Sequence, residues 1–313
     1  MADQKFVVVG LGELLWDVFP SGKQLGGAPS NFAYITNLLG DKGIPASRVG
    51  NDALGEEAGK RLGELSVSAE FAQIDSDHPT GTVKVEVDPR GQPRFEITQN
   101  VAWDFLEWSN SWQQLATRTD AVCFGSLAQR SSQSRSTIRK FLGALRRDAV
   151  SVFDVNLRQK FYDSEILSES MRLASILKLN HEELPVIKRL AARHHGEDEE
   201  RGELKWAEAL LQKFGLRMIC VTRGANGSVL ITREERHEHS GFKVKIADTV
   251  GAGDAFTAAM LHEVLRGAPL AQINETANRV GAWVASQHGG MPAAPGGLWQ
   301  NVDAIVSTSP HRS

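Results

Sequence analysis

The sequence predicts an α/β protein, a mainly parallel sheet covered by helices on both faces, with a small β element laid over it. Three observations carry that expectation. From about Thr119 onward, short apolar runs alternate with amphipathic stretches of helical length, and strands separated by such helices pair in parallel. Thr82-Val83-Lys84-Val85-Glu86-Val87 instead alternates strictly between apolar and polar residues, the period of a strand with one wet face. The chain has 313 residues, 41% hydrophobic and 23% charged, enough for a sizeable core.

Taken in order, Phe6-Val7-Val8-Val9 is a β-branched run ending in Gly10-Leu11-Gly12 and reads as a buried strand. Phe32, Ile35, Leu38 and Leu39 have helical spacing, closed by Gly40. A second helix is expected near 54–65. After the alternating strand, Asp88-Pro89-Arg90-Gly91-Gln92-Pro93 breaks the chain and Arg94-Phe95-Glu96-Ile97 resumes it, the pattern of a hairpin. Further strands are expected at 121–124, 150–155, 176–179, 218–221 and 229–231. Helices are expected near 132–147, 164–173, 182–192 and 204–214, then two in succession at 254–266 and 270–287. The main domain is expected to comprise 1–12, 25–78 and 102–313, with 13–24 and 79–101 forming the overlying β element.

Composition excludes several classes. A formal net charge of −3 without a dominant basic run argues against a nucleic-acid partner, which needs clustered Lys and Arg. Glu197-Asp198-Glu199-Glu200-Arg201 reads as a solvated loop. Cys123 and Cys220 sit inside apolar runs, as buried, inert thiols do. No cationic-then-apolar leader precedes the first strand and no apolar run approaches a membrane span. A cytoplasmic protein without a membrane partner is expected.

The segment with most chemical content is Asp248-Thr249-Val250-Gly251-Ala252-Gly253-Asp254-Ala255-Phe256. A turn of small residues leads into an Ala-rich helix, whose first N–H groups are unpaired and, with the helix dipole, make an anion site. Asp254 is the odd member, because a carboxylate repels phosphate. Either it complements the helix dipole, or it accepts a hydroxyl proton while the neighbouring amides stabilise a transferring phosphoryl group. This segment alone leaves both readings open. A second segment, Gly26-Gly27-Ala28-Pro29-Ser30-Asn31, opens the first helix. Its glycines and proline suit a tight entry, and Asn31 offers both a donor and an acceptor to a polyol. Asp17 is a carboxylate able to accept from two adjacent hydroxyls.

The two segments together resemble the signatures of the ribokinase-like (phosphofructokinase B-type) carbohydrate kinases. The first is the Gly26–Asn31 turn with Ala33, Gly40 and Gly50; the second is Asp248 to Leu261. Between them Thr80-Gly81-Thr82, Asp154-Val155-Asn156-Leu157-Arg158, Asn180 with Glu183, and Thr222-Arg223-Gly224 with Gly227 also fit. Among subfamilies the chain looks most like bacterial fructokinases, through Gly12-Glu13-Leu14-Leu15-Trp16-Asp17 and the Asp154–Arg158 stretch. The resemblance implies a three-layer αβα domain with a β-sheet lid, and ATP-dependent phosphorylation of a sugar primary hydroxyl, fructose first. Other acceptors of the family are 2-keto-3-deoxygluconate, ribose and nucleosides, and a non-catalytic sugar-binding regulator on the same fold is the alternative of another class.

Position by position, the resemblance implies Asp254 as base, with Gly251, Ala252, Gly253 and Arg158 around the moving phosphoryl group. Asp17, Gly26, Gly27, Asn31, Phe95 and Arg158 would meet the sugar. Asn180, Glu183, Thr222, Gly224, Gly227, Gly251, Gly253, Ala285 and Gly289 would meet the nucleotide. Mg2+ would accompany ATP, with Glu183 acting through water. K+ would take the carbonyls of Asp248, Val250 and Gly289, although Ala293 stands where some members have Ser. A homodimer through the lid is also implied.

Other patterns lead elsewhere. Gly10-Leu11-Gly12 begins like a dinucleotide fingerprint, but Leu15 occupies the third glycine's place, and no Walker-type phosphate loop exists. His194-His195, His237 and His239 are expected in exposed polar loops without metal. Trp103, Trp108 and Trp112 are expected mostly in the core.

Overall fold

In a computed structural model, residues 5–87, 93–192 and 203–307 are described, and the side chains of 85–87, 93–95, 190–192, 203–205 and 305–307 are not. The chain opens with β1 (Val7–Leu11), β2 (Leu15–Phe19), β3 (Gly22–Gly26), α1 (Ala28–Leu38), β4 (Lys42–Gly50), α2 (Ala53–Glu64), β5 (Ala72–Asp75), β6 (Gly81–Val87) and β7 (Pro93–Ile97). It continues through α3 (Asn110–Arg118), β8 (Ala121–Phe124), α4 (Ser132–Gly143), β9 (Val150–Asp154), α5 (Ser164–Leu173), β10 (Ile176–Asn180), α6 (Leu184–Ala192) and α7 (Glu203–Phe214). It closes with β11 (Met218–Thr222), β12 (Ser228–Ile231), β13 (Arg236–His239), α8 (Ala252–Leu265), α9 (Leu270–Ala285) and α10 (Leu298–Ser307).

Nine strands form one sheet in the order β13-β12-β11-β10-β9-β8-β1-β4-β5, parallel except for β12 and β13. The side-chain period of two explains why these strands read as continuous apolar runs. Val9, Val122, Phe153, Leu177 and Ile219 point into one core, with Trp112 of α3, Phe141 of α4, Leu167 of α5, Ile187 of α6 and Leu210 of α7. Val8, Ala121, Val152, Ile176 and Cys220 point into the other, with Phe32 of α1, Leu62 of α2, Met260 of α8, Trp283 of α9 and Val302 of α10. Each strand from β8 to β12, like β1, is buried along most of its length on both faces, as a parallel sheet between helical layers requires, whereas the edge strands β5 and β13 are partly exposed. The expected fold class is therefore the observed one.

The small element is a four-stranded sheet, β3-β2-β6-β7, joined by a parallel β2–β6 pair. Residues 88–92, the hairpin break, lie outside the described residues, as do 197–201, His194 and His195.

Several details differ from expectation. The helix at 132 stops at Gly143, and α6 begins at Leu184 rather than 182, because Asn180 and Glu183 cap it from outside. His237 and His239 lie in β13, not in a loop. Their strand is short and edge-lying, and the His237 carbonyl and ring take the Asn274 amide of α9. Trp103 and Trp112 are fully buried, and Trp108 packs on the same core. Both cysteines are buried and free.

The topology fixes where a ligand can enter. From β1 the chain moves outward to β4 and β5, then returns to β8 on the other side of β1 and proceeds to β9, β10 and β11. Strand order therefore reverses between β1 and β8, and open α/β sheets bind ligands at the carboxyl ends of strands beside such a reversal.

Candidate active site

The implied residues gather at that edge. β1 runs into Glu13, β2 of the small sheet carries Asp17, β9 runs into Arg158, β10 ends at Asn180 and β11 at Thr222, while α1 and α8 present their N-termini there. Gly251 caps α8 with a left-handed φ of 75°. A Cβ on it would collide with the Cα of Gly290, so only glycine fits the turn. The Ala252 amide donates to the Thr249 carbonyl at 3.3 Å, and helix geometry leaves those of Gly253 and Asp254 without an intrahelical acceptor. Asp254 is half-buried in the first turn, and its Oδ2 accepts from Asn31 Nδ2 at 2.8 Å. Asn31 Oδ1, also buried, has no partner.

Three carboxyls converge on this point. Burial pushes Asp254 up to about 6, opposed by the Asn31 hydrogen bond, raised further by Asp154 and lowered by Lys178 and Arg158. Burial likewise raises Asp17 to about 6, with Arg158 opposing and Asp248 and Asp254 reinforcing. Burial raises Glu13 to about 7, although its carboxylate takes the amides of Glu13 itself and Ala28. Carboxyls whose pKa is higher in the fold than in the unfolded chain stabilise the fold below the unfolded value. They forfeit that contribution as pH rises through 6 to 7, so at neutral pH the site is bought at the expense of stability. Arg158, exposed at the mouth, is the guanidinium within electrostatic reach of all three. It sits on a loop where Asn156 and Gln159 adopt left-handed φ of 41° and 51°, conformations that concentrate at functional sites.

Asn180 and Glu183 form a reciprocal cap. Asn180 Oδ1 accepts from the Glu183 amide at 2.9 Å, and Glu183 Oε2 accepts from the Asn180 amide at 2.8 Å. Glu183 Oε1 also takes the Leu157 amide at 2.8 Å, tying the cap to the Arg158 loop. Both oxygens are thus engaged by the backbone, which fits a metal role through water and disfavours direct ligation. Thr222 pairs in register with Asn180 and with Ser228. Gly224 and Gly227 have positive φ, and a Cβ on Gly227 would collide with the His239 carbonyl, so β13 itself demands that glycine. Asp248 accepts from the Val250 amide at 3.0 Å and the Gly289 amide at 3.1 Å, stitching together the two loops assigned to a cation. The Ala285 carbonyl receives the Ala247 and Asp248 amides. A cavity of about 700 Å³ lies beside them, lined by Lys243, Lys245, Ile246, Ser286 and His288. Gly27 enters α1 at φ 103°, and Gly26 lies under Asp17 so closely that a Cβ would strike the carboxylate. Phe95 is in β7, and its side chain lies outside the described residues.

Three polar residues, present in the matching stretches, received no role from the sequence. Glu13 stands between Gly12 and an apolar Leu14-Leu15-Trp16 run, the mark of a buried acid. Asp154 and Lys178 are charges inside apolar strands, and the structure pairs them at 3.0 Å under Gly253.

Comparison with known proteins agrees with this geometry. The family model described as pfkB family carbohydrate kinase matches residues 6–295. A fructokinase of Klebsiella pneumoniae is 30% identical over 304 residues, covering 91% of this chain and 95% of that one. A sugar kinase of Pyrococcus horikoshii is 28% identical over 302 residues, covering 90% and 91%. The crystal structure of that uncharacterized enzyme in complex with ATP superposes with a TM-score of 0.76 at 27% identity, over 91% of this chain and 94% of the other. With the two signature turns joined by the Asn31–Asp254 hydrogen bond and the family match spanning nearly the whole length, the chain belongs to the pfkB family of carbohydrate kinases and is an ATP-dependent sugar kinase.

Proposed function

We propose that this kinase transfers the γ-phosphoryl group of ATP to a primary hydroxyl of fructose, with Asp254 as general base. The observation that carries the chemistry is Asp254 itself, half-buried in the first turn of α8, oriented by Asn31 and within electrostatic reach of Asp17 and Arg158. Asp17, Gly27 and Asn31 orient the sugar. Asp254 takes the hydroxyl proton as the hydroxyl oxygen forms its bond to the γ-phosphorus. The bond to the bridging oxygen breaks, and ADP leaves with the electron pair. The amides of Gly253 and Asp254, with Arg158, bear the developing charge. Glu183 would hold Mg2+ through water, and the ion would supply positive charge to the phosphates. The carbonyls of Asp248, Val250 and Gly289 would hold a monovalent cation, and the Asp248 carboxylate joins the two loops that carry them.

Fructose is favoured by the similarity to fructokinases. A panel of fructose, ribose, 2-keto-3-deoxygluconate and nucleosides, assayed by coupled ADP release, tests it. Fructose should show the highest kcat/KM, and a higher value for any other acceptor overturns the assignment. Because Asp254 must be ionised to act and titrates at about 6, kcat/KM should fall as pH drops through 6 and hold a plateau above it. Gly26→Ala, which displaces the Asp17 carboxylate, should raise the sugar KM at least about tenfold while leaving that for ATP unchanged, the scale of one lost polar contact. We further assign residues 13–24 and 79–101 to a lid whose closure excludes water and through which two chains pair in the cytoplasm. Among the described residues no helix is long and apolar enough to cross a membrane.

A further inference from the structure

We propose that Lys178 is a positioning residue of the phosphoryl pocket, an ammonium beneath the Gly251–Asp254 turn that anchors the first turn of α8 to the sheet and balances the Asp254 carboxylate. The inference rests on the reading of Asp254 as base. Lys178 is 6% exposed, in the middle of β10, and directly opposite Asp154 of β9 in the strand register. Its Nζ stands 3.0 Å from both Asp154 oxygens. Asp154 Oδ2 in turn accepts from Thr257 Oγ1 of α8 at 3.1 Å, and the same hydroxyl lies 2.9 Å from the Gly253 carbonyl. The result is a continuous bridge from β10 through β9 to the turn itself. Lys178 Nζ also lies against Gly253 on its own account, 3.1 Å from where a Cβ would stand. That glycine leaves room for an ammonium below as well as for a phosphoryl group above.

Stability gives little reason for this arrangement. A buried ion pair roughly breaks even against apolar side chains of the same volume, and the neighbouring strand positions are apolar. Electrostatics gives a better one. The groups facing Asp254 are Asn31 from α1, Asp154 from β9, Lys178 from β10, Arg158 from the loop after β9, Glu13 and Asp17 from the β1–β2 segment, and Cys123 from β8. Two of them are cations. Arg158 is exposed and sits on a surface loop, whereas Lys178 is buried in the sheet and paired with Asp154. Burial would lower the Lys178 pKa, but Asp154, Glu183 and Asp254 raise it, so the ammonium remains charged throughout the working range. One fixed positive charge therefore serves three carboxylates that would otherwise repel one another and the incoming nucleotide.

The experiment is the pH dependence of kcat, between about pH 5 and 9, for the wild type, Lys178→Met, Lys178→Arg, Asp154→Asn and Asp254→Asn, with saturating Mg·ATP and sugar. Removing the ammonium should move the acid limb upward by about one pH unit or more, so that much of the activity lost near neutrality returns at high pH. The KM values should stay within about threefold, because Lys178 touches neither substrate. Lys178→Arg should restore most of the wild-type limb. Asp154→Asn removes a charge that opposes Asp254 ionisation and should move the limb downward, which keeps the test open if Lys178→Met does not fold. An unmoved limb in the charge variants, or a loss equal at every pH, overturns the role of Lys178. Substantial turnover by Asp254→Asn overturns the underlying base assignment instead, so the two failures are distinguishable.

Discussion

Asp254→Asn is expected to lower kcat by at least about a hundredfold while leaving the KM for ATP and sugar within a small factor, the magnitude typical of a removed general base. The side chains are nearly isosteric, and an amide oxygen at this position can still accept the Asn31 Nδ2 hydrogen bond now made at 2.8 Å. The turn and the sugar-facing Asn31 should therefore stay in place. What disappears is the basic oxygen, in a site where burial has already brought the carboxyl's pKa up to about 6, close to that of an efficient base at neutral pH. The acid limb of the pH profile should disappear with it. Steady-state kinetics of the variant, with a thermal melt as control, check both. A large rise in KM with kcat preserved would place Asp254 in binding rather than chemistry.

The second large effect is expected at Gly251. Gly251→Ala puts a Cβ on a residue with φ 75°, and that carbon points at the backbone of Gly290. Left-handed strain alone costs about 1–2 kcal/mol, and the obstacle is a main-chain atom that cannot rotate away. The turn must move, and displacement of its amides by even about 1 Å should lower kcat about a hundredfold. Thermal unfolding should show a stability loss of at least about 2 kcal/mol. Gly253→Ala supplies the contrast, since its new Cβ meets only the tip of the Lys178 side chain, at 3.1 Å. That ammonium can yield a few tenths of an ångström, so folding should be almost unaffected. Equal damage at the two glycines would argue against this account of the turn.

The frame of the fold was legible because burial on both faces leaves a short apolar run in most of the central strands. In Ile176-Leu177-Lys178-Leu179, for example, odd and even positions feed opposite cores. β4 was not legible, although it lies beside β1 and is buried along almost its whole length. It carries Pro45, Ser47 and Arg48 among its buried residues. Its register depends on partners far along the chain, with Arg48 pairing to Asp75 and Glu107. β13 was missed for a similar reason, because its alternating charges suit an edge and its place is fixed by Asn274 of α9.

In the site, the two glycine turns could be read because each combines a strained backbone with a helix start. The sequence nevertheless assigned Gly227 to a nucleotide-lining role, and the collision of a Cβ with His239 supplies a structural reason for that glycine. The Asn180–Glu183 pair is likewise a helix cap before it is anything else. Lys178 and Asp154 were invisible as a unit, since an ion pair between residues 24 apart, completed by a hydroxyl 103 residues from Asp154, leaves no local pattern.

The central claim is that a carboxylate in the first turn of α8 receives the acceptor's proton while the turn holds the phosphoryl group. A crystal structure of the enzyme with fructose and a non-hydrolysable ATP analogue tests this most directly. The account predicts a sugar primary hydroxyl within about 3 Å of an Asp254 oxygen and the γ-phosphate against the amides of Gly253 and Asp254. A hydroxyl positioned out of hydrogen-bond reach of Asp254, or a γ-phosphate bound away from that turn, would contradict it.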